Sequence, residues 1–276
     1  MATNAIDRRS TRQLTVLCLF AHPDDEAFGS GGTLAGLVQK GHKITMVCAT
    51  NGDVGEISDP ALATPDNLWE VRQGELHRAM AVTGIPDVRF LGYRDSGMEG
   101  TPDNENPSSL FQADPVKVEE QIADLMDELS PDIVFTHDPT GGYGHPDHVT
   151  VYERTTSVVE GMSENRPHLY FVCFPRGNFR KLWDEMVEAG ITPPFAAEAL
   201  ESIGSPDDYV TTVKDVSAYV AIKEESLRCH QTQLDPNGPF GKIAPEVMTA
   251  WMSTEYFYLK QPDGADTQVD ILVDLI

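Results

Sequence analysis

The feature that most constrains the fold of this chain is an alternation of short apolar runs with segments of helical length. The runs are rich in β-branched and aromatic residues, and acids, Gly or Pro bound them, as is typical of buried strands. In the first half they are LTVLCLFA (14–21), KITMVCAT (43–50), VRFLGY (88–93) and DIVFTHD (132–138). The helix-length segments between them are GGTLAGLVQKG (31–41), NLWEVRQGELHRAMAVTG (67–84) and DPVKVEEQIADLMDELS (114–130). This alternation predicts an α/β fold, with a mostly parallel sheet and helices on both of its faces.

The second half is less regular but continues the same domain. Strands are predicted at 168–174, 209–213 and 255–259, and a helix is predicted at 216–230. Because no internal repeat or low-complexity linker interrupts the chain, we expect a single domain over residues 13–276. The polar first dozen residues, 1–12, are expected to be loose.

Composition excludes several classes of function. The 276 residues include 44 acidic and 20 basic side chains, a formal net charge of −24. Such a surface repels phosphate backbones and anionic lipids, so we expect no nucleic-acid partner and no membrane-surface role. No stretch approaches the roughly 18 apolar residues of a membrane span, and the start has no apolar signal core. A cytoplasmic, soluble protein is therefore expected. The four cysteines form no CxxC pair, which argues against a zinc ribbon or a disulfide framework.

Two clusters of histidine and acid follow two of the predicted strands. FAHPDDE (20–26) comes directly after the first strand, and THDPTGGYGHPDHV (136–149) comes directly after the strand DIVF. In open parallel sheets, ligands bind outside the carboxyl ends of the strands, and both clusters fall there. The two clusters are therefore predicted to meet in space.

Histidine and carboxylate side chains in this arrangement indicate a metal site. Neutral imidazoles and a carboxylate suit zinc and similar divalent ions, and two histidines with one carboxylate leave positions open for water and substrate. A spare carboxylate can then serve as general base and a spare histidine as general acid or oxyanion stabiliser. The residues alone leave open which of Asp24 and Asp25 binds the ion. Either cluster alone is also a plausible helix start, with Pro146 at a first helical position, but that reading does not explain why both recur at strand ends.

The ordered pair AHPDDE and GGYGHPDHV resembles the LmbE-like (PIG-L) family of zinc-dependent N-deacetylases, specifically the N-acetylglucosaminyl deacetylases of the mycothiol and bacillithiol biosynthesis type. LRCHQTQ (227–233) is similar to the closing helix signature of that family. The resemblance implies a Rossmann-like fold and one Zn²⁺ per chain, with another divalent ion such as Fe²⁺ as the alternative. It also implies a hydrolase that uses metal-activated water to remove an acetyl group from an N-acetylated amino sugar, giving acetate and a free amine.

Carried over by position, the resemblance implies roles for the residues of both clusters. His22, Asp25 and His148 would be the metal ligands, and Asp24 would be the general base that takes a proton from the attacking water. Glu26 receives no role in the chemistry, so we expect it to cap the following helix or to brace the loop.

The same resemblance assigns three further catalytic residues. His145 would protonate the leaving amine or stabilise the oxyanion, Asp147 would orient the His145 ring, and Tyr143 would help to polarise the acyl carbonyl. Three positions match sugar-contacting residues of the mycothiol-type enzymes: Glu56, Arg72 and Asp95.

Three alternatives remain at this stage. The first is an amidase of the same family that cleaves a larger thiol S-conjugate. The second is a non-heme iron enzyme, whose facial triad also has two histidines and a carboxylate. The third is a binding protein, which would have no use for Asp24 and His145. Two segments carry looser expectations: 94–114 as a functional or mobile loop, and 177–200 as a lid or an oligomer contact. The expected partner is a small N-acetyl amino sugar, and a homo-oligomer is compatible with the resemblance.

Overall fold

The computed structural model of the protein describes residues 12–262 and 268–276. The segment predicted to be loose, residues 1–12, lies outside the described residues except for Arg12, which pairs with Asp132 at 2.8 Å. Within these ranges no helix is both long enough and apolar enough to cross a membrane.

A seven-stranded, mostly parallel sheet forms the centre of the fold. Its strands are β1 (Thr15–Phe20), β2 (Lys43–Thr50), β3 (Asp87–Tyr93), β4 (Ile133–His137), β5 (His168–Cys173), β6 (Thr212–Asp215) and β7 (Thr254–Leu259). Their order is β3-β2-β1-β4-β5-β7-β6. Strands β1 to β5 pair in parallel, whereas β7 runs antiparallel to both β5 and β6. The predicted fold class is confirmed.

The helices lie around this sheet and include several that periodicity did not assign. They are α1 (Asp25–Gly29), α2 (Gly31–Gln39), α3 (Leu68–Thr83), α4 (Pro115–Leu129), α5 (Gly141–Gly144), α6 (Pro146–Gly161), α7 (Arg176–Glu188), α8 (Val220–Leu227), α9 (Pro245–Met252) and α10 (Leu272–Leu275). Pro146 is the first residue of α6, as the GHPDHV motif predicts. The segment 177–200 contains most of α7.

Two predicted elements in the second half have different bounds in the structure. The strand predicted at 209–213 lies at 212–215, because residues 207–209 form a 3₁₀ turn and pairing with β7 begins at Thr212. The helix predicted at 216–230 is α-helical only over α8, since a 3₁₀ turn occupies 217–219. Both differences arise from 3₁₀ turns that the hydrophobic pattern does not indicate.

Strand β1 is buried on both of its faces, as a central parallel strand should be. Val16, Cys18 and Phe20 pack in one hydrophobic cluster with residues of α2 and α3. Leu17 and Leu19 pack in a second cluster with residues of α4 and α6. The sheet is therefore covered by helices on both sides.

The sheet order reverses between β1 and β4. From β1 the chain proceeds to β2 and β3 on one side, and from β4 it proceeds to β5 on the other. Loops that leave the carboxyl ends of two such strands diverge and leave a crevice between them, where ligands bind in doubly wound sheets. His22 follows β1 and His137 ends β4, so both clusters border this crevice.

Removing the Phe135 ring should test how much the aromatic side chains packed at the centre of the sheet contribute to the free energy of unfolding. The ring is buried between Tyr170 and Phe257, at centroid distances of 5.6 and 5.4 Å. Phe135→Ala should lower the free energy of unfolding by about 3–5 kcal/mol, because the cavity would lie between three strands. Phe111→Ala, at a side chain that is 50% exposed, should change it by less than about 0.5 kcal/mol. Urea denaturation measures both, and equal losses would contradict the packing described.

Candidate metal centre and active site

Three side chains at the β1–β4 crevice converge on one point. His22 Nδ1 lies 3.1 Å from His148 Nε2, and His148 Nε2 lies 3.2 Å from Asp25 Oδ1. The third edge, from His22 Nδ1 to Asp25 Oδ2, is 3.6 Å. With ligand bonds of about 2.0–2.2 Å, donor atoms of a tetrahedral zinc site stand about 3.3–3.6 Å apart. The donor atoms of these three residues are therefore close enough to share one divalent ion, with Asp25 offering Oδ1 to His148 and Oδ2 to His22.

The outer nitrogens of both histidine rings face acceptors. His22 Nε2 lies 3.2 Å from Asp147 Oδ2 and 3.6 Å from Asp95 Oδ1, and His148 Nδ1 lies 3.0 Å from the Gly141 carbonyl oxygen. Metal-binding histidines characteristically donate their second N–H to a carboxylate or a carbonyl. An ion bound between the rings would displace any inner proton and leave the outer N–H of each ring donating to these acceptors.

The electrostatic environment favours positive charge at this point. Burial lowers the pKa of His22, but the carboxylates of Asp95, Asp147 and Asp25 outweigh burial and hold that pKa well above its ordinary value. Burial raises the pKa of Asp25, yet the neighbouring imidazoles of His148 and His137 hold it well below its usual range. A divalent cation would satisfy the same carboxylates.

Other groupings of donors occur in the same crevice. Among the described residues, the sets His22–His145–His148, His22–Asp95–His145–Asp147 and Asp25–His137–His148 could each hold an ion. In the last of these, the Nε2 lone pair of His137 already accepts the Ala21 amide hydrogen at 3.0 Å. His137 also stacks on His148 at a centroid distance of 4.0 Å. His137 is therefore better placed to hold the His148 ring than to bind an ion.

Asp24 stands beside the convergent triad but faces a different group. Its Oδ2 lies 3.3 Å from an Arg72 guanidinium nitrogen. Burial raises the pKa of Asp24 to about 6, against the opposing effect of the Arg72 charge and with a further rise from Asp25. A carboxylate that takes up a proton near neutral pH suits general-base chemistry.

His145 precedes α6 and lies edge-on to the ring of His22, at a centroid distance of 4.5 Å. Its Nδ1 accepts the Asp147 amide hydrogen at 3.2 Å, so its own proton is on Nε2. Burial, followed by the charges of His22 and His148, lowers the pKa of His145 to about 3. The ring is therefore a neutral donor that points Nε2–H into the crevice, 3.9 Å from Asp95 Oδ1.

The Asp147 carboxylate lies closer to His22 than to the ring that it was predicted to orient. Its Oδ2 is 3.2 Å from His22 Nε2 and 4.0 Å from His145 Nδ1. The Ser96 amide donates to it at 2.9 Å, and the Ser96 hydroxyl makes a further hydrogen bond to Oδ1. Asp147 thus contacts His145 through its backbone and His22 through its side chain.

Tyr143 lies on a turn with unusual backbone geometry. Gly141, Gly142 and Gly144 around it have φ values of 59°, 70° and 85°, which side chains with a Cβ rarely adopt. The Tyr143 ring is 54% exposed and meets His148 edge-on at a centroid distance of 5.3 Å. The tyrosine therefore stands at the open side of the crevice.

The three predicted sugar-contacting residues occupy different environments. Glu56 is exposed, and its backbone carbonyl accepts a hydrogen bond from Gln233 at 2.8 Å. Arg72 is buried and donates to the carbonyl oxygens of Gly52 and Pro23 at 3.0 and 2.6 Å. Asp95 is buried against His22. In this structure Arg72 contacts Asp24 and Asp95 contacts His22.

Sequence reasoning did not select Ser96 and His137, although both directly follow or end a strand at the same edge of the sheet. Ser96 lies within the RDSGM stretch of the 94–114 segment, which folds back on itself through an Arg94–Ser109 bridge. The Phe111 amide donates to the Ser96 hydroxyl at 2.9 Å. Their position after β3 and β4 is the signal that could have identified them.

Comparison with known proteins identifies the family to which the chain is similar. Residues 17–159 match the family model described as GlcNAc-PI de-N-acetylase (PIG-L). The 1D-myo-inositol 2-acetamido-2-deoxy-alpha-D-glucopyranoside deacetylase of Acidothermus cellulolyticus is 35% identical, with 95% of this chain and 96% of that protein covered. The deacetylase of the same name from Thermobifida fusca is 36% identical, with 92% and 98% covered.

A solved structure supports the fold. The N,N'-diacetylchitobiose deacetylase of Pyrococcus horikoshii superposes with a TM-score of 0.61 at 22% identity, covering 89% of this chain and 83% of that one. The predicted resemblance and the predicted class of enzyme, an N-deacetylase, are confirmed by the family match and the identity to the two relatives. The chain belongs to the PIG-L family of GlcNAc-PI de-N-acetylases.

Proposed function

We propose that this enzyme hydrolyses the acetamide of a small N-acetylglucosaminyl-inositol substrate, with one zinc ion held by His22, Asp25 and His148. The observation that carries the proposal is that donor atoms of His22, Asp25 and His148 lie 3.1 to 3.6 Å apart, while the adjacent Asp24 carboxylate pairs with Arg72 instead. The sugar part of the proposal is supported by the names of the two relatives described above.

A zinc ion bound by His22, Asp25 and His148 would supply Lewis acidity for the acetyl carbonyl and the attacking water. Asp24 accepts a proton from that water as the oxygen attacks the carbonyl carbon. Arg72, 3.3 Å from Asp24, favours the ionised form of the base before the reaction.

His145 then stabilises the charge that develops on the carbonyl oxygen. Because its Nδ1 is occupied by the Asp147 amide, the ring offers Nε2–H as a donor without first gaining a proton. When the C–N bond breaks, the amine takes the proton held by Asp24, and acetate and the free amine result. Tyr143 is placed at the open side to donate its hydroxyl to the same carbonyl oxygen.

The substrate proposal is tested by measuring acetate release. Purified zinc-loaded protein should release one acetate per free amine from 1D-myo-inositol 2-acetamido-2-deoxy-α-D-glucopyranoside. The matched comparison is a thiol S-conjugate of the same amino sugar, which the alternative amidase would cleave. Cleavage of the S-conjugate without acetate release from any N-acetyl amino sugar would overturn the proposal.

Substitutions at adjacent residues should separate metal binding from catalysis. Asp24→Asn should retain zinc and lower kcat by about 10²- to 10⁴-fold, the contribution typical of a positioned general base. His148→Ala should lose zinc, because it removes one of three ligands. Zinc content by atomic emission and acetate release measure both effects. A near-normal rate for Asp24→Asn would show that the base is another group.

The acidic limb of the rate profile should respond to the charge of Arg72. Asp24 must be ionised to act, so kcat/KM falls as pH drops through the pKa of Asp24. Since the Arg72 charge lowers that pKa, Arg72→Met should shift the limb to higher pH. Arg72→Lys keeps the charge and should leave the limb close to that of the wild type. Profiles of kcat/KM from pH 5 to 9 measure the shift, and a limb that moves to lower pH in Arg72→Met would contradict this pairing.

A further inference from the structure

The backbone of Asp24 is in an unfavourable conformation that other groups must hold. Its φ is 124° and its ψ is −25°, within the left-handed range that residues with a Cβ rarely adopt. Such a residue costs on the order of 1–3 kcal/mol and persists only where its surroundings determine it. The conformation directs Asp24 to Arg72 while Asp25, the next residue, faces His148.

Both polar atoms of the peptide group that precedes this strained residue are held by side chains. The Pro23 carbonyl oxygen accepts a hydrogen bond from Arg72 at 2.6 Å. The Asp24 amide, in the same planar group, donates to Glu26 Oε2 at 3.0 Å. A peptide group is planar and rigid, so holding both its C=O and its N–H fixes its orientation. With the peptide fixed, the direction of the Asp24 side chain toward Arg72 determines φ of Asp24.

Glu26 is in turn held by a residue from the far end of the chain. Its other oxygen, Oε1, lies 2.8 Å from His230 Nε2, and both side chains are fully buried. His230 follows α8, where its amide donates to the Leu227 carbonyl oxygen at 3.0 Å. Two donors thus share one carboxylate, so neither oxygen is left unpaired in the interior.

The His230 ring has a single polar contact. Its Nδ1 is buried and has no hydrogen-bond partner in the described part of the chain. An N–H at that position would be left unsatisfied, so the proton belongs on Nε2, where it is donated to Glu26. Among the residues that the structure describes, the one hydrogen-bond partner of this buried ring is therefore the Glu26 carboxylate.

We propose that Glu26 and His230 are positioning residues that, together with Arg72, clamp the Pro23–Asp24 peptide and so aim the Asp24 carboxylate at the attacking water. The proposal rests on the function proposed above, in which Asp24 is the general base. Glu26 and His230, the histidine of LRCHQTQ, would thus contribute to the reaction by positioning Asp24, although neither touches substrate. Substitution of either residue should therefore lower kcat and leave the zinc affinity unchanged.

The test compares two variants at position 230 with a control at Glu75, a buried residue of α3 that holds the neighbouring Thr232. His230→Phe keeps the ring volume but removes the donor, and His230→Gln keeps a side-chain N–H at about the place of Nε2. If His230→Phe does not fold, His230→Asn replaces it, because the shorter side chain fits the space and does not reach Glu26. The control is Glu75→Gln, since buried Glu75 anchors Thr232 through bonds of 2.8 and 2.6 Å but does not touch Asp24.

His230→Phe should lower kcat by about 10- to 100-fold, the cost of displacing a reacting group by about 1 Å. KM and the Zn²⁺ dissociation constant, measured by competition with a chromophoric chelator, should stay at wild-type values. His230→Gln should recover most of the loss. Glu75→Gln should lower Tm but keep kcat close to that of the wild type.

The double variant His230→Phe/Asp24→Asn decides whether His230 acts through Asp24. Its kcat should equal that of Asp24→Asn alone, because a misplaced base and an absent base are the same defect. Additive losses, a wild-type kcat in His230→Phe, or an equal loss in Glu75→Gln would each overturn the positioning role. If Asp24→Asn alone kept a near-normal rate, the general-base assignment would fail, and the positioning role would fail with it.

Discussion

The site depends on two consecutive carboxylates that point to different places. Asp24 adopts a φ of 124°, and this single backbone distortion turns its side chain toward Arg72 while Asp25 stays beside His148. In a regular helical turn the two acids would project about 100° apart with no partner for the first. The strain at Asp24 therefore separates the proposed ligand, Asp25, from the proposed base, Asp24, within one dipeptide, and the hydrogen bonds around the preceding peptide maintain it.

Charge balance gives the second constraint. Asp24, Asp25, Asp95 and Asp147 border one crevice of a chain whose formal net charge is −24, and so many buried acids need positive charge nearby. Arg72 supplies it for Asp24, and the triad supplies a place for a divalent ion beside Asp25. Neutral His145 fits this scheme, since its proton is needed as a hydrogen-bond donor rather than as a charge.

Much of this arrangement could be predicted from sequence because it depends on local signals. Strand-length apolar runs identify the sheet, and parallel strands bring their carboxyl ends to one edge, so the HPDDE and HPDH clusters had to be neighbours. The family resemblance then named the residues that the structure places within 3.6 Å of one another. The bounds of β6 and α8 could not be predicted, because 3₁₀ turns at 207–209 and 217–219 precede them and no local pattern indicates those turns.

The remaining features depend on tertiary contacts that no local pattern encodes. That the carboxylate of Asp147 faces His22, and that Ser96 holds it there, follows from how the segment after β3 folds back over the crevice. The contact between Glu26 and His230 joins residues 204 positions apart, and nothing near either residue indicates the other. Such contacts can be found only after the sheet has placed α1 and α8 side by side.

The most direct test of the account is anomalous diffraction at the zinc edge from crystals of the zinc-loaded protein. One peak is expected per chain, within bonding distance of His22 Nδ1, His148 Nε2 and a single oxygen of Asp25, with Asp24 turned away toward Arg72. An ion bound by Asp24, or one held by His22, His145 and His148 without Asp25, would contradict the assignment of Asp25 as the metal ligand and Asp24 as the general base.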